Sequence, residues 1–199
     1  MSDTADLSAL IASRICHDLI SPIGAIGNGV ELLTLERGGS DRPEFALIAE
    51  SVANANARIR FFRVSFGAAS GEQRLARTEV LSILTDLGRA GRITYAWTSQ
   101  GDLSRRDVRL VFLLLQCLET FLPYGGRVEV TEGATSWTLR AEAQRMKIDP
   151  ALWDILTSPD TDARVEAGQV HFALARRGLA ALGKRLQADI SPTEIRLTV

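Results

Sequence analysis

The sequence predicts an α+β fold in two parts, and three observations lead there. Over the first seventy residues, apolar side chains recur at alternating spacings of three and four, the period of long helices packed in a bundle. Beyond them, helical stretches alternate with short runs in which apolar and polar residues take turns, the period of strands. The first helix also carries a histidine-aspartate pair, His17-Asp18, among unusually small neighbours. The expected division is a two-helix hairpin over residues 1–70 and a mixed-sheet α/β sandwich over residues 71–199.

The first helix is marked by Ala12, Cys16, Leu19, Ile23, Ile26, Val30 and Leu33, and Gly38-Gly39-Ser40 ends it. Asp41, with Glu44 three places on and Pro43 in the first turn, resembles a capping box for the second helix. Its seam runs Phe45, Ile48, Val52, Ala55, Ile59, Phe62 and Phe66. One hairpin leaves much of each seam wet, so a homodimer closing a four-helix bundle is expected. In the second part, Thr78 to Leu87 reads as a helix and Arg92 to Thr98 as a strand. Ser104, with Asp107 at the capping-box place, starts a helix to about Phe121. Pro123-Tyr124-Gly125-Gly126 is a turn, followed by a strand through Val128 and Val130 and its hairpin partner Trp137 to Ala143. Asp149-Pro150 opens a short helix, and a longer one spans roughly Ala167 to Leu186 after a loop rich in Asp, Ser, Thr and Pro. Ile190 and Ile195 to Val199 give two last strands. Trp97, Trp137 and Trp153 fall at core positions, and Cys117 reads as buried packing.

Composition excludes several classes. A net charge of −1 provides no basic surface for general nucleic-acid binding, and no polybasic segment suggests a membrane. The longest apolar run is broken by Gln116 and is too short to span a bilayer. No secretory pattern opens the chain, and Cys16 and Cys117 are too far apart in sequence to suggest a disulfide framework or a zinc site, so a reducing cytoplasm is expected.

His17 is the feature that structure alone does not require. It follows seam residue Cys16, which points it toward solvent just off the apolar stripe. Ser13, Ser21, Gly24 and Asn28 lie within turns of it and are small, so another protein could approach the ring. Each exposed glycine costs a helix about 0.5–1 kcal/mol. Pro22 removes a backbone hydrogen bond and can kink the helix just past the histidine. The bland alternatives are a surface histidine, a harmless kink and close helix packing at the glycines. The second histidine, His171, stands between apolar residues and reads as structural.

The segment "HDLISPIGAIGNGVELL" resembles the phosphoacceptor box of two-component histidine kinases, in which His-acidic is followed by Pro five places after the His. The two-part layout resembles their dimerisation and ATP-binding domains. The departures fall in the nucleotide site. Cys117, with Leu113 a turn earlier, stands about where the kinases carry a magnesium-holding asparagine. "AEAQRMKIDP" replaces their adenine-reading glycine loop, and "FALARRGLAALGKRL" keeps an echo of their Gly-rich helix start. A kinase-like frame that keeps the acceptor and loses the nucleotide site resembles the ChpT-type histidine phosphotransferases of alphaproteobacteria.

That resemblance implies a cytoplasmic homodimer relaying a phosphoryl group from the receiver domain of a hybrid histidine kinase to response regulators. His17 would be the nucleophile, with Asp18 orienting its ring or accepting its other proton. Arg14, Ile20, Ser21, Gly24 and Asn28 would meet the receiver, Arg14 through phosphate oxygens or an acidic edge, whereas Ile23 reads as core. The chain would need no cofactor or metal of its own, magnesium coming from the receiver. An ATP-dependent kinase core and a non-catalytic dimeric scaffold are the alternatives.

Overall fold

The structure is a computed structural model that describes residues 2–35, 43–69, 72–158 and 165–199. The turn at Gly38-Gly39-Ser40, the cap at Asp41, the division at residues 70 and 71, and most of the polar loop before residue 165 lie outside the described residues.

Helix α1 (Ser2–Leu35) runs through Pro22 without a break, and α2 (Pro43–Ser65) lies beside it. The sequence-predicted seam of α1 is split: Leu19, Ile26 and Leu33 are half-buried. Pro22 and Gly29 are buried and Asp18 and Ala25 partly so, again at spacings of four, three and four, and small at all positions but Asp18. Ala12, Cys16, Ile23 and Val30 of the expected seam are exposed, Ile23 at 58%. Ile23, expected in the core, is not covered within one chain. On α2 the same split appears. Ala55 and Phe62 are buried, whereas Phe45, Val52 and Ile59, seven residues apart, are exposed.

The rest follows the predicted order with small changes. A short ladder, β1 (Arg74–Leu75) against β3 (Leu103–Ser104), has only two residues per strand, too few to show a period. Helix α3 (Arg77–Ala90) leads into β2 (Ile93–Thr98), and α4 (Arg105–Phe121) follows β3. The side chain of Ser104 makes no cap hydrogen bond, because Ser104 is held in β3; the expected capping box at Asp107 does not form. Strands β4 (Gly126–Glu132) and β5 (Trp137–Glu142) make the expected hairpin, entered through Gly125, whose φ of 91° suits glycine. Asp149 caps α5 (Pro150–Thr157) through the N–H groups of Ala151 and Leu152. The last helix is shorter than expected. A 3-10 turn (Ala167–Gln169) precedes α6 (Val170–Ala181), which stops before Gly183, at φ 63°. Strands β6 (Gln187–Ile190) and β7 (Glu194–Thr198) complete a five-stranded sheet in the order β2-β4-β5-β7-β6, parallel only between β2 and β4.

One face of that sheet is apolar and covered: Val128, Val130, Leu139, Ala141, Ile195 and Leu197 are all buried. Its other face carries ion pairs such as Arg140–Glu194 and Arg127–Glu129, at 2.8 and 2.7 Å. Trp97 and Trp137 are buried and in ring contact, and Trp153 packs at the core's margin against Phe121. The core does not end at the second part. Phe61 of α2 stacks on Phe112 of α4 at 4.7 Å, and Phe62, Val64 and Leu7 join the same cluster. Arg105 and Arg109 of α4 donate to the carbonyls of Arg63, Ala68 and Ser65, fastening the end of α2 to the second part. No helix among the described residues is long and apolar enough to cross a membrane.

Candidate active site

His17 projects from α1 with its side chain 86% exposed. Its neighbour in sequence points the other way: Asp18, one residue on and about 100° around the helix, is 9% exposed. The two still meet, His17 Nδ1 lying 3.3 Å from Asp18 Oδ1. With Asp18 ionised, Nδ1–H is the donor and Nε2 keeps its lone pair. The second oxygen, Oδ2, faces two guanidinium groups: Arg14 Nη2 at 3.1 Å and Arg58 Nη1 of α2 at 3.5 Å. Pro22, four residues after Asp18, has no N–H to give the Asp18 carbonyl, so backbone pairing is weakened beside His17.

The sequence-predicted neighbours fall on one open face. Ser21, Gly24 and Asn28 are exposed, and Ile20 is 68% exposed. A Cβ placed on Gly24 would meet nothing within 4 Å, so this glycine serves no helix packing within the chain. Arg14 differs from expectation. Rather than facing outward, it is 21% exposed, paired with Asp18, and donates through Nη1 to the Gly168 carbonyl at 2.7 Å. It ties α1 to the turn before α6.

Beneath this pair lies a polar layer with no signal in the sequence. Tyr95 of β2 donates a short hydrogen bond to Glu119 at the end of α4. Loss of solvent pushes the Glu119 carboxyl above the usual range, opposed by the Tyr95 bond and by the charges of Arg58 and Arg14. His171, fully buried, meets the Thr120 hydroxyl through Nε2 at 3.1 Å. Burial, helped by the Arg14 charge, holds its pKa down at about 3, so it is a neutral core group. Arg58, Glu119 and Tyr95 were not foreseen, because each becomes a neighbour of Asp18 only through the packing of α2, β2 and α4. The i, i+4 spacing of Arg14 and Asp18 was the one local sign.

Between α4 and α6 a cleft of about 270 Å³ remains, lined by Arg106, Arg109, Leu110, Leu113, Ala181 and Leu182. Cys117 and Leu113 are buried, and α6 packs on the same helix so tightly that a Cβ on Gly178 would come within 3.2 Å of Leu110. Desolvation raises the Cys117 thiol well above its ordinary range, making it a poor metal ligand. Among the described residues, no group of three or more His, Cys, Asp and Glu side chains could hold a metal ion.

Residues 77–194, from α3 to the first residue of β7, match the family model described as the histidine phosphotransferase C-terminal domain. The chain is also 32% identical over 171 residues to the protein phosphotransferase ChpT of Brucella abortus (strain 2308), a match covering 83% of this chain and 81% of that one. The chain belongs to the ChpT family of histidine phosphotransferases. Its fold superposes on the solved structure of a bacterial phosphotransferase with a TM-score of 0.83 and 29% identity, covering 98% of this chain and 95% of the other. That likeness takes in α1 as well as the second part. Helix α1, which lies outside the family model's span, is thus part of the shared fold.

Proposed function

We propose that the chain relays phosphoryl groups through His17, from the receiver domain of a hybrid histidine kinase to response regulators. The observation that carries this reading is an exposed imidazole whose Nδ1 is engaged by a fixed carboxylate, leaving Nε2 free above a face of small residues. In the transfer, Nε2 attacks the phosphorus of an aspartyl phosphate. The N–P bond forms as the P–O bond to the receiver's aspartate breaks, and that carboxylate leaves with its electron pair. The ring becomes cationic as it reacts, and Asp18 stabilises it through Nδ1–H. A second receiver aspartate reverses the step and carries the group away. On this reading magnesium belongs to the receiver. Ile20, Ser21, Gly24 and Asn28 form the docking face.

The heptad rows Cys16-Ile23-Val30 and Phe45-Val52-Ile59, exposed on adjacent helices, favour a homodimer in which two such hairpins close a four-helix bundle. The buried Cys117 and Leu113, which stand about where a kinase carries its magnesium-holding asparagine, argue against an ATP-dependent kinase. A receiver domain carrying radiolabelled aspartyl phosphate tests the reading. Wild-type chain should take up the label and His17→Ala should not, while both melt at about the same temperature. Equal labelling of the two would refute the assignment.

A further inference from the structure

The charges around Asp18 exceed what a surface pair needs. Its Oδ2 lies between Arg14 at 3.1 Å and Arg58 at 3.5 Å, ion-pair contacts without hydrogen-bond geometry, and the carboxylate is 9% exposed. Neither arginine is a loose surface chain. Arg14 is anchored by the Gly168 carbonyl at 2.7 Å, and Arg58 is about one-third exposed. The charges of both cations are also felt by the Glu119 carboxyl, which accepts a hydrogen bond from Tyr95. A buried carboxylate with one oxygen on two cations has its second oxygen directed, and here that oxygen faces the His17 ring.

We propose that Arg14 and Arg58 are positioning residues for the His17 acceptor, and that the second part of the chain contributes to transfer by anchoring Arg14 through Gly168. The clamp fixes Asp18, and Asp18 fixes the ring as the Nδ1–H tautomer with Nε2 aimed outward. In this arrangement the degenerate kinase-like part has a task that needs no nucleotide: its 3-10 turn holds one end of the clamp. An imidazole free in water favours the opposite tautomer, with the proton on Nε2. Without the clamp, the attacking nitrogen would therefore carry a proton in most molecules. The proposal rests on His17 being the acceptor, but its primary readout does not.

The chain has two histidines, so a full-length sample labelled with nitrogen-15 in histidine gives two imidazole rings. His171, buried and neutral, serves as the internal standard for an intact fold. The nitrogen shifts and long-range proton couplings of His17 at pH 8 report its tautomer directly. Wild type should show mainly Nδ1–H, and Arg58→Gln should shift toward Nε2–H while the His171 signals stay in place. Phosphoramidate, a small P–N donor that transfers its phosphoryl group to an imidazole nitrogen and releases ammonia, supplies the kinetic readout. Arg58→Gln should lower the maximal labelling rate about ten- to a hundredfold with little change in the donor concentration at half-maximum. Arg58→Lys, which restores the charge without the fork, should recover part of that loss. If Arg58→Gln disturbs the His171 signals, Arg14→Gln tests the clamp from its other arm with the same two outcomes. An unchanged tautomer and rate in a folded variant would overturn the proposal. Failure of the underlying reading would look different: His17→Ala would still accept phosphate, whatever the tautomer.

Discussion

The two long helices and the sheet domain solve the same burial problem in opposite ways. In the sheet, every strand that pairs on both sides has one apolar face, and that face is covered: Val128, Leu139 and Ile195 have no exposed surface. On α1 and α2 the apolar rows at heptad spacing are left open, Ile23 at 58% and Ile59 at 48%, while the positions of α1 that turn inward past His17 include Asp18, Pro22, Ala25 and Gly29. A domain with a closed core is complete in one copy. In the proposed homodimer, a helix pair with its heptad rows in water is one half of a four-helix bundle. The difference teaches that the folded core and the working surface of this chain lie in different places, joined where Phe61 stacks on Phe112.

The strongest way to break this comparison is to place the same charge on each kind of position. Phe62 and Ile59 are three residues apart on α2, at 4% and 48% exposure. Phe62→Asp should cost about 3–5 kcal/mol or more and unfold the chain, since a carboxylate would be buried where an aromatic ring packs. Ile59→Asp should leave the far-ultraviolet spectrum and the sheet domain intact and instead halve the mass seen by light scattering, from two chains to one. Unfolding by both variants, or a single-chain mass for the wild type, would mean that α2 has only one kind of face.

Gly24→Phe sharpens the comparison on the open side. The site has room for a side chain, and Gly is a poor helix former, so stability should hold or rise by up to about 1 kcal/mol. Phosphotransfer from a receiver should nonetheless slow sharply as the ring blocks docking. Melting and transfer rate measured on one variant decide it, and an unchanged rate would move the docking face elsewhere.

The smallest effect belongs to the closed side. His171 is neutral when folded, with its pKa lowered to about 3 from an ordinary value near 6.5. A base with a depressed pKa contributes fully above the unfolded value, and the contribution is lost as pH falls toward the folded one. The stability difference between wild type and His171→Gln should therefore be flat above about pH 6.5. Below it, wild type should lose about 1.4 kcal/mol per pH unit relative to the variant. Urea unfolding of both at pH 7, 6 and 5 measures this. Taking the difference removes the opposite trend of Glu119, whose pKa is raised by burial in the fold.

Much of the architecture was legible because period carries it. The strand pattern at Ile93, Tyr95 and Trp97 and the cap at Asp149 are local, and the structure has both. The apolar rows of α1 and α2 were legible too, but not which way they face. A three-four spacing marks a stripe without saying whether this chain or another copy covers it. Pro22, Ala25 and Gly29 are small and turn inward, so they do not stand out as a row of large apolar residues. At the candidate site, His17 and Asp18 could be read because they are adjacent. Arg58, Glu119 and Tyr95 reach the same place from three other elements, and nothing in their spacing announces it. Arg14 was read as an outward contact because helix geometry puts it near the histidine's face; the carbonyl that draws it inward belongs to Gly168, 154 residues away.

Peptide mapping of the wild-type chain after incubation with a phosphorylated receiver tests the central claim most directly. Cleavage after arginine separates the two histidines, leaving His17 on a peptide of residues 15–37 and His171 on one of residues 165–176. The account predicts acid-labile, alkali-stable phosphate on residues 15–37 and none on 165–176. Label on any other peptide, or acid-stable label anywhere, would contradict it.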